Sequence, residues 1–248
     1  MGTTVVTSGK GGAGKSTVTA GIGCALARRG QRVLLVDGDA GLRSLDLMLG
    51  VGDKAVFDLS DVFAGNCEPI RAMYPSPICE GVWVMPAPID QAKLCTPEQM
   101  QGLTKGLSHY FDQILVDCPA GVGEGFVTAV AGADRAIVVT TPDMVCARDA
   151  QIVADLLTQR RLPAHLVINR LRPRLICQGK LPDVDEIMDT AGVRLLGLVP
   201  EDEQVAVSCA YGKPLPEDSA ATVCFDNIAR RLMGEDVSLA PLEKLVKA

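Results

Sequence analysis

Histidine is nearly absent: His109 and His165 are the only two in 248 residues. Neither has a partner at metal-ligand spacing, so both are expected to be structural. Paired cysteines are absent too. The nine cysteines stand singly at 24, 67, 79, 95, 118, 146, 177, 209 and 224 with no C-x-x-C pair, which argues against an iron–sulfur carrier or reductase and predicts small buried hydrophobes in a reducing cytosol. The chain also lacks a basic excess. Its 24 Lys and Arg against 30 Asp and Glu leave a net charge of −6, which argues against general attraction to DNA. The run Arg170, Arg172, Arg174 and Lys180 reads first as a solvated loop rather than a nucleic-acid patch. No stretch approaches the roughly 18 consecutive apolar residues of a membrane span. With a strand expected from Thr3, a signal peptide is excluded, and Val6 breaks the myristoylation pattern that Met1-Gly2 opens. Any membrane association is therefore expected to be peripheral. Linkers, repeats and low-complexity segments are missing as well, and the length suits one α/β domain with a large core.

What the chain does have begins at residue 9. Gly9-Lys10-Gly11-Gly12-Ala13-Gly14-Lys15-Ser16-Thr17 satisfies G-x-x-x-x-G-K-[ST] through Gly9, Gly14, Lys15 and Ser16. The match follows the β-branched run Thr3–Thr7 and precedes a helical run from Thr17 to Arg29, the strand-loop-helix setting that a phosphate-binding loop needs. Glycines at 9, 11, 12 and 14 are expected to take positive φ and turn backbone N–H groups toward a polyphosphate. Lys15 is expected to reach the β and γ phosphates, Ser16 to ligate Mg²⁺, and Thr17 to support the helix start or contact the α phosphate. Lys10 is a second lysine on the flank of the loop. It is poorly placed to repeat the work of Lys15 and is a candidate to reach a phosphate held by another subunit.

Strand-like runs alternate with helical ones along the chain, which predicts a parallel sheet covered on both faces. Strands are expected at Arg32–Asp37, Val82–Met85, Ile114–Asp117, Ala136–Thr140, His165–Asn169 and Leu195–Val199, with ligand loops at their carboxyl ends. Trp83 falls in one of them and is expected in the core. Thr96-Pro97-Glu98-Gln99 fits a capping box with proline at the first helical position. Thr141-Pro142 repeats that proline placement before a helix running to about Arg161.

Lys10 to Thr17 resembles the deviant Walker A motif of the ParA/MinD ATPases. The resemblance implies a three-layer P-loop NTPase fold, ATP and Mg²⁺ as ligands, and a homodimer formed on ATP binding in which Lys10 crosses to the partner's nucleotide, comparable in role to an arginine finger. Asp117-Cys118-Pro119-Ala120-Gly121 is similar to the family's D-x-P-A-G switch II, which makes Asp117 a Mg²⁺ support through water. Asp37-Gly38-Asp39-Ala40-Gly41 is similar to its switch I, which puts Asp37 near the metal and Asp39 at the attacking water. Asn169 corresponds to the residue that hydrogen-bonds adenine, with Arg170 stacking nearby and Pro200, Glu201 and Asp202 lining the base. An asparagine amide both donates and accepts, which suits the adenine edge; capping the turn from Arg170 to Pro173 is its other reading.

Gly41-Leu42-Arg43-Ser44-Leu45-Asp46-Leu47-Met48-Leu49-Gly50 resembles the MinD branch of the family. So do Met85-Pro86-Ala87, Thr141-Pro142 with Arg148-Asp149, and Pro200-Glu201-Asp202; the similarity covers residues 3 to 234. Three positions depart from the pattern. Ser44 replaces an asparagine, Gly123 stands where a glutamate is usual with Glu124 one place later, and Gln151 occupies an aspartate position on a partner-docking surface.

The branch implies a Mg²⁺-dependent, partner-stimulated ATPase for septum-site placement, with a MinE-like activator and a MinC-like inhibitor. Regulation of flagellar placement and number, or ParA-type DNA segregation, are the alternatives. Residues 1–234 are expected to form the ATPase domain and 235–248 a tail. After Pro241, Leu242, Leu245 and Val246 share one helical face, with Lys244 and Lys247 elsewhere. That tail reads equally as a weak membrane-surface helix, strengthened by pairing in a dimer, or as a frayed or docked terminal helix. The expected location is the cytoplasm, with a peripheral stay on the inner face of the cell membrane in the ATP state.

Overall fold

A computed structural model describes residues 2–41, 43–90 and 95–239. Its eight strands form one sheet: β1 Gly2–Thr7, β2 Val33–Asp37, β3 Tyr74–Pro75, β4 Val82–Met85, β5 Gln113–Asp117, β6 Arg135–Thr140, β7 Ala164–Leu171 and β8 Leu195–Pro200. The helices are α1 Lys15–Arg28, α2 Ser44–Met48, α3 Leu59–Phe63, α4 Pro97–Leu107, α5 Glu124–Ala131, α6 Met144–Gln159, α7 Pro173–Cys177, α8 Val184–Ala191, α9 Glu203–Tyr211 and α10 Ala220–Leu232. The strand order is β3-β4-β2-β5-β1-β6-β7-β8. Every pairing is parallel except β3 with β4.

The alternation of side chains along the strands sorts the core into two layers. Val5, Leu34, Val36, Ile114, Val116 and Val138 pack beneath α4, α5 and α6. Val6, Leu35, Leu115, Ile137 and Val139 face α1 and α10 on the opposite side. The six strands expected after the first all form, each within two residues of its expected ends. Antiparallel β3 carried no sequence signal, because two residues are too few for a period.

The same alternation positions the chemistry. Asp37 and Asp117 are paired in register at the carboxyl ends of β2 and β5. Two residues on from Leu35 and Leu115, they share the α1 face, at the end where ligands bind open α/β sheets. β1 lies beside β5 and leads straight into the glycine loop.

Two local expectations need separate statements. At α4, Thr96 and Gln99 form the capping box, and Pro97 is the first helical residue. At α6 the proline placement is corrected: Asp143 is the N-cap, accepting the Cys146 N–H, so Pro142 precedes the helix rather than starting it. The presumed loop from Arg170 to Lys180 contains α7, with Pro173 in its first turn. Trp83 is only partly buried. The cysteines divide: 79, 118, 146 and 224 are buried, 24, 67, 95 and 209 are intermediate, and Cys177 is exposed. No described helix is long and apolar enough to cross a membrane.

Candidate nucleotide-binding site

Of the four loop glycines, Gly12 and Gly14 take positive φ, at 85° and 87°. Gly9 serves close approach instead. A Cβ there would lie 2.4 Å from the Asp149 Cβ and 2.5 Å from its carbonyl oxygen, so glycine lets α6 abut the loop. Gly9→Ala is accordingly expected to lower stability by about 1–3 kcal/mol through overpacking, read as a fall in thermal midpoint. An unchanged midpoint would show that α6 can shift freely.

Gly14 is the N-cap of α1 and has no side chain to cap it, leaving the first N–H groups of the helix for an anion. Lys15 follows and is 93% shielded, at 7% exposure. Its charge acts on Asp39 and Asp117, favouring the ionised form of both. Lys10 points elsewhere. Exposed on the outside of the loop, it sits by Cys146, Asp143 and Asp149 at the start of α6, and they raise its pKa. The two lysines of one loop therefore serve different acidic neighbourhoods.

Asp37 is fully buried and accepts two backbone N–H bonds, from Asp39 at 3.0 Å and Leu45 at 3.1 Å. The second explains the run from residue 43 to 50. Arg43, in the left-handed region, starts α2 and pairs with Asp46 at 2.8 Å, so the helix aims its N-terminal N–H at Asp37. Leu42 lies outside the described residues. Asp117 accepts the Thr19 hydroxyl at 3.3 Å on Oδ1, while its buried Oδ2 has no protein partner. Burial pushes Asp117 up to about 7, with Asp37 adding to the rise and Ser16 and Lys15 opposing it. Burial likewise pushes Asp37 up to about 6.

Two buried carboxyls side by side, one with an orphaned oxygen, fit a cation. Among the described residues no cluster of three or more His, Cys, Asp and Glu is arranged to hold a metal alone. A Mg²⁺ here would take Ser16, Asp37 and Asp117, directly or through water, and would draw its remaining oxygens from phosphate and water, the usual economy of a phosphate-bound Mg²⁺.

At the same end of α1, Asn169 Nδ2 donates to the Ala13 carbonyl at 2.9 Å. A one-residue bulge between β7 and β8 follows it, with Arg170 at φ 53°. Asn169 thus braces the phosphate loop, leaving its oxygen and second amide hydrogen for a base. Arg170 is exposed beside Glu201. Glu201 is held by Arg172 in a bidentate pair at 2.5 and 3.1 Å, and Asp202 caps α9 by accepting the Gln204 N–H at 2.9 Å. Pro200 ends β8, paired with Leu171. Thr17 lies 3.9 Å from Cys209 Sγ of α9. Sequence reasoning missed Thr19, one turn after Lys15 on the same helix face, and the pairing of Arg172, whose partner Glu201 lies just past β8.

A glycine loop at the end of a central parallel strand, a buried lysine at the helix start and paired aspartates opposite define a P-loop nucleotide-binding protein. Residues 4–215 match the CobQ/CobB/MinD/ParA nucleotide binding domain. The septum site-determining protein MinD of Bacillus subtilis is 42% identical over 246 residues, covering 97% of this chain and 92% of its own. Among solved structures, MinD in the MinC:MinD cell division complex of Aquifex aeolicus superposes with a TM-score of 0.88 at 36% identity, covering 97% of this chain and 99% of that one. MinD of Pyrococcus horikoshii, solved with Mg-ADP, gives 0.84 at 31% identity, covering 93% and 95%. The chain belongs to the CobQ/CobB/MinD/ParA family, in its MinD branch.

Proposed function

We propose that this chain is a Mg²⁺-dependent ATPase that dimerises on ATP and acts as a switch in septum-site placement. The observation that carries this reading is the division of labour between the two loop lysines. Lys15, buried against Asp39 and Asp117, offsets charge on the β and γ phosphates from within the subunit. Lys10, exposed on the loop's outer side, serves the nucleotide of a second copy. Asp39, half-buried near Lys15, orients the water for in-line attack on the γ phosphate. Ser16, Asp37 and Asp117 hold the Mg²⁺, which when bound neutralises charge on the phosphoryl oxygens. Backbone N–H groups at Gly14 and the start of α1 receive the phosphate oxygens without reorganisation.

A second copy needs a surface beside Lys10. Val145, at 63% exposure, and Ile152, at 55%, stand i and i+7 on α6 with Arg148 and Asp149 between them. They stand on the helix whose Cys146 and Asp149 neighbour Lys10, and dimerisation through this face would cover them. A MinC-like inhibitor and a MinE-like activator complete this reading, the first supported by a MinC:MinD complex among the solved relatives. The pairing of Arg172 with Glu201 removes one charge from the basic run that a DNA-segregating reading would use.

Residues 1–234 form the ATPase domain in this reading, and the tail from 235 gives peripheral contact with the inner membrane surface. Its helical face lies in residues 240–248, outside the described ones. ATP, but not ADP, is expected to drive the protein onto anionic liposomes in sedimentation, and deletion of residues 237–248 to abolish this. Unchanged sedimentation of the truncated chain would remove the tail's role, and salt-sensitive binding to random duplex DNA with none to liposomes would favour segregation.

A further inference from the structure

Cys24 lies on α1, two turns beyond Ser16, and Cys79 lies in the connection from β3 to β4. Though 55 residues apart in sequence, Cys79 Sγ is 3.8 Å from the Cys24 carbonyl oxygen, and the two thiols are hydrogen-bonding neighbours. Arg28, one turn further along α1, favours the thiolate of both. The pair is unequal. The Cys24 hydrogen bond lowers the Cys79 pKa, whereas the same bond and burial raise that of Cys24. By contrast, burial pushes Cys118 up to about 12 and Cys224 up to about 11.

Two spaces border the pair. Cys24, Cys79, Thr17 and Cys209 line a cavity of about 50 Å³. On the other side, Cys79 and Arg28 line a groove of about 750 Å³. The connection that carries Cys79 is tied to the segment that follows α2, since the Ser76 hydroxyl donates to the Leu49 carbonyl at 3.0 Å. A Cβ on Gly50 would meet Pro77 at 3.1 Å, so the two segments are also packed.

We propose that Cys24 and Cys79 are a redox-active dithiol, oxidised by hydroperoxides to a disulfide that clamps α1 to the connection supporting residues 43–51. The Cys79 thiolate attacks one peroxide oxygen, the O–O bond breaks, and hydroxide or alkoxide leaves with a sulfenic acid at Cys79. The Cys24 sulfur then attacks Cys79 sulfur; the S–S bond forms as the S–O bond breaks, and water leaves with the Cys24 proton. Two electrons pass from the thiols to the peroxide. Cys79 is buried but borders both spaces, so of the two thiols the one that favours its thiolate reacts first, and in a reducing compartment such a disulfide is transient and regulatory.

The test treats the full reduced chain with hydrogen peroxide and maps the products by peptide mass. A Cys24–Cys79 linked peptide is expected as the first product, reversed by dithiothreitol, with Cys79 oxidised at least about tenfold faster than Cys118 or Cys224. In Cys24→Ser, dimedone should trap a sulfenic acid at Cys79; in Cys79→Ser, no adduct should form at Cys24 at the same dose. Amide exchange across residues 43–51 should slow at least about threefold in the linked chain. Oxidation that starts at exposed Cys177 and leaves the pair reduced would overturn the proposal, as would a linkage that leaves exchange at 43–51 unchanged. The mapping uses the unmodified chain, so poor folding of either variant does not remove the test.

Discussion

Lys15→Ala is expected to weaken ATP and ADP binding about 100-fold or more, whereas Lys10→Ala leaves the affinity of the single subunit within about twofold. The asymmetry follows from where the side chains lie. Lys15 is buried, with Asp39 and Asp117 as electrostatic neighbours, so its loss removes the cation assigned to the phosphates in this proposal and leaves two carboxyls uncompensated. Lys10 is solvent-exposed by the first turn of α6, and its loss costs a lone subunit little. In the proposed ATP dimer, Lys10→Ala should nevertheless lower partner-stimulated hydrolysis about 1,000-fold, the scale of a charge supplied in trans to phosphoryl transfer. Fluorescent-nucleotide titration at dilute protein, followed by single-turnover hydrolysis with the activator, separates the two. Equal loss of affinity in both variants would overturn the trans role of Lys10.

Asp117→Asn should raise the stability of the nucleotide-free protein while removing Mg²⁺-dependent tightening of nucleotide binding. Asp117 is fully buried, one oxygen has no partner, and its pKa is raised from 3.8 to about 7 by burial first and by Asp37 second. A carboxyl with a raised folded pKa favours the folded state in its protonated form. That contribution is complete below the unfolded value of 3.8 and is lost as pH rises through about 7. The asparagine variant does not titrate, so its advantage should be absent near pH 4 and greatest above about pH 7, where it is expected at about 1–3 kcal/mol. Melting curves across that range check the sign; a variant less stable than the parent above pH 7 would refute it. Metal binding runs the other way. A cation needs the carboxylates charged, so Mg²⁺ affinity in the parent should fall toward about tenfold per pH unit below about 7, with a proton released on binding. This opposition is the usual trade of stability for function at a charged site.

The glycine loop was legible because it is local: the residue types that wrap a phosphate are consecutive, and a β-branched run and a helical run flank them. The aspartates were legible for a related reason, each closing an apolar strand that alternation of side chains defines. Legibility failed where partners come from distant parts of the chain. Nothing local joins Asn169 to Ala13, or Arg172 to Glu201, and no spacing rule pairs cysteines 55 residues apart. The starting point of α6 was misread for a smaller reason, since proline and aspartate both favour helix starts and the Asp143 side-chain bond decides between them.

Sequence by itself determined the alternating α/β architecture, the phosphate loop, the acidic strand ends and the two lysines, because each rests on short-range periodicity or on consecutive residues. Tertiary structure decided how they work together. The register of β2 against β5 sets Asp37 beside Asp117 in a water-poor layer under α1, and that burial, rather than residue type, raises their pKa values. Packing of α6 against Gly9 turns Lys10 outward while Lys15 turns in. Desolvation and direction are properties of the folded neighbourhood, which no stretch of chain carries alone.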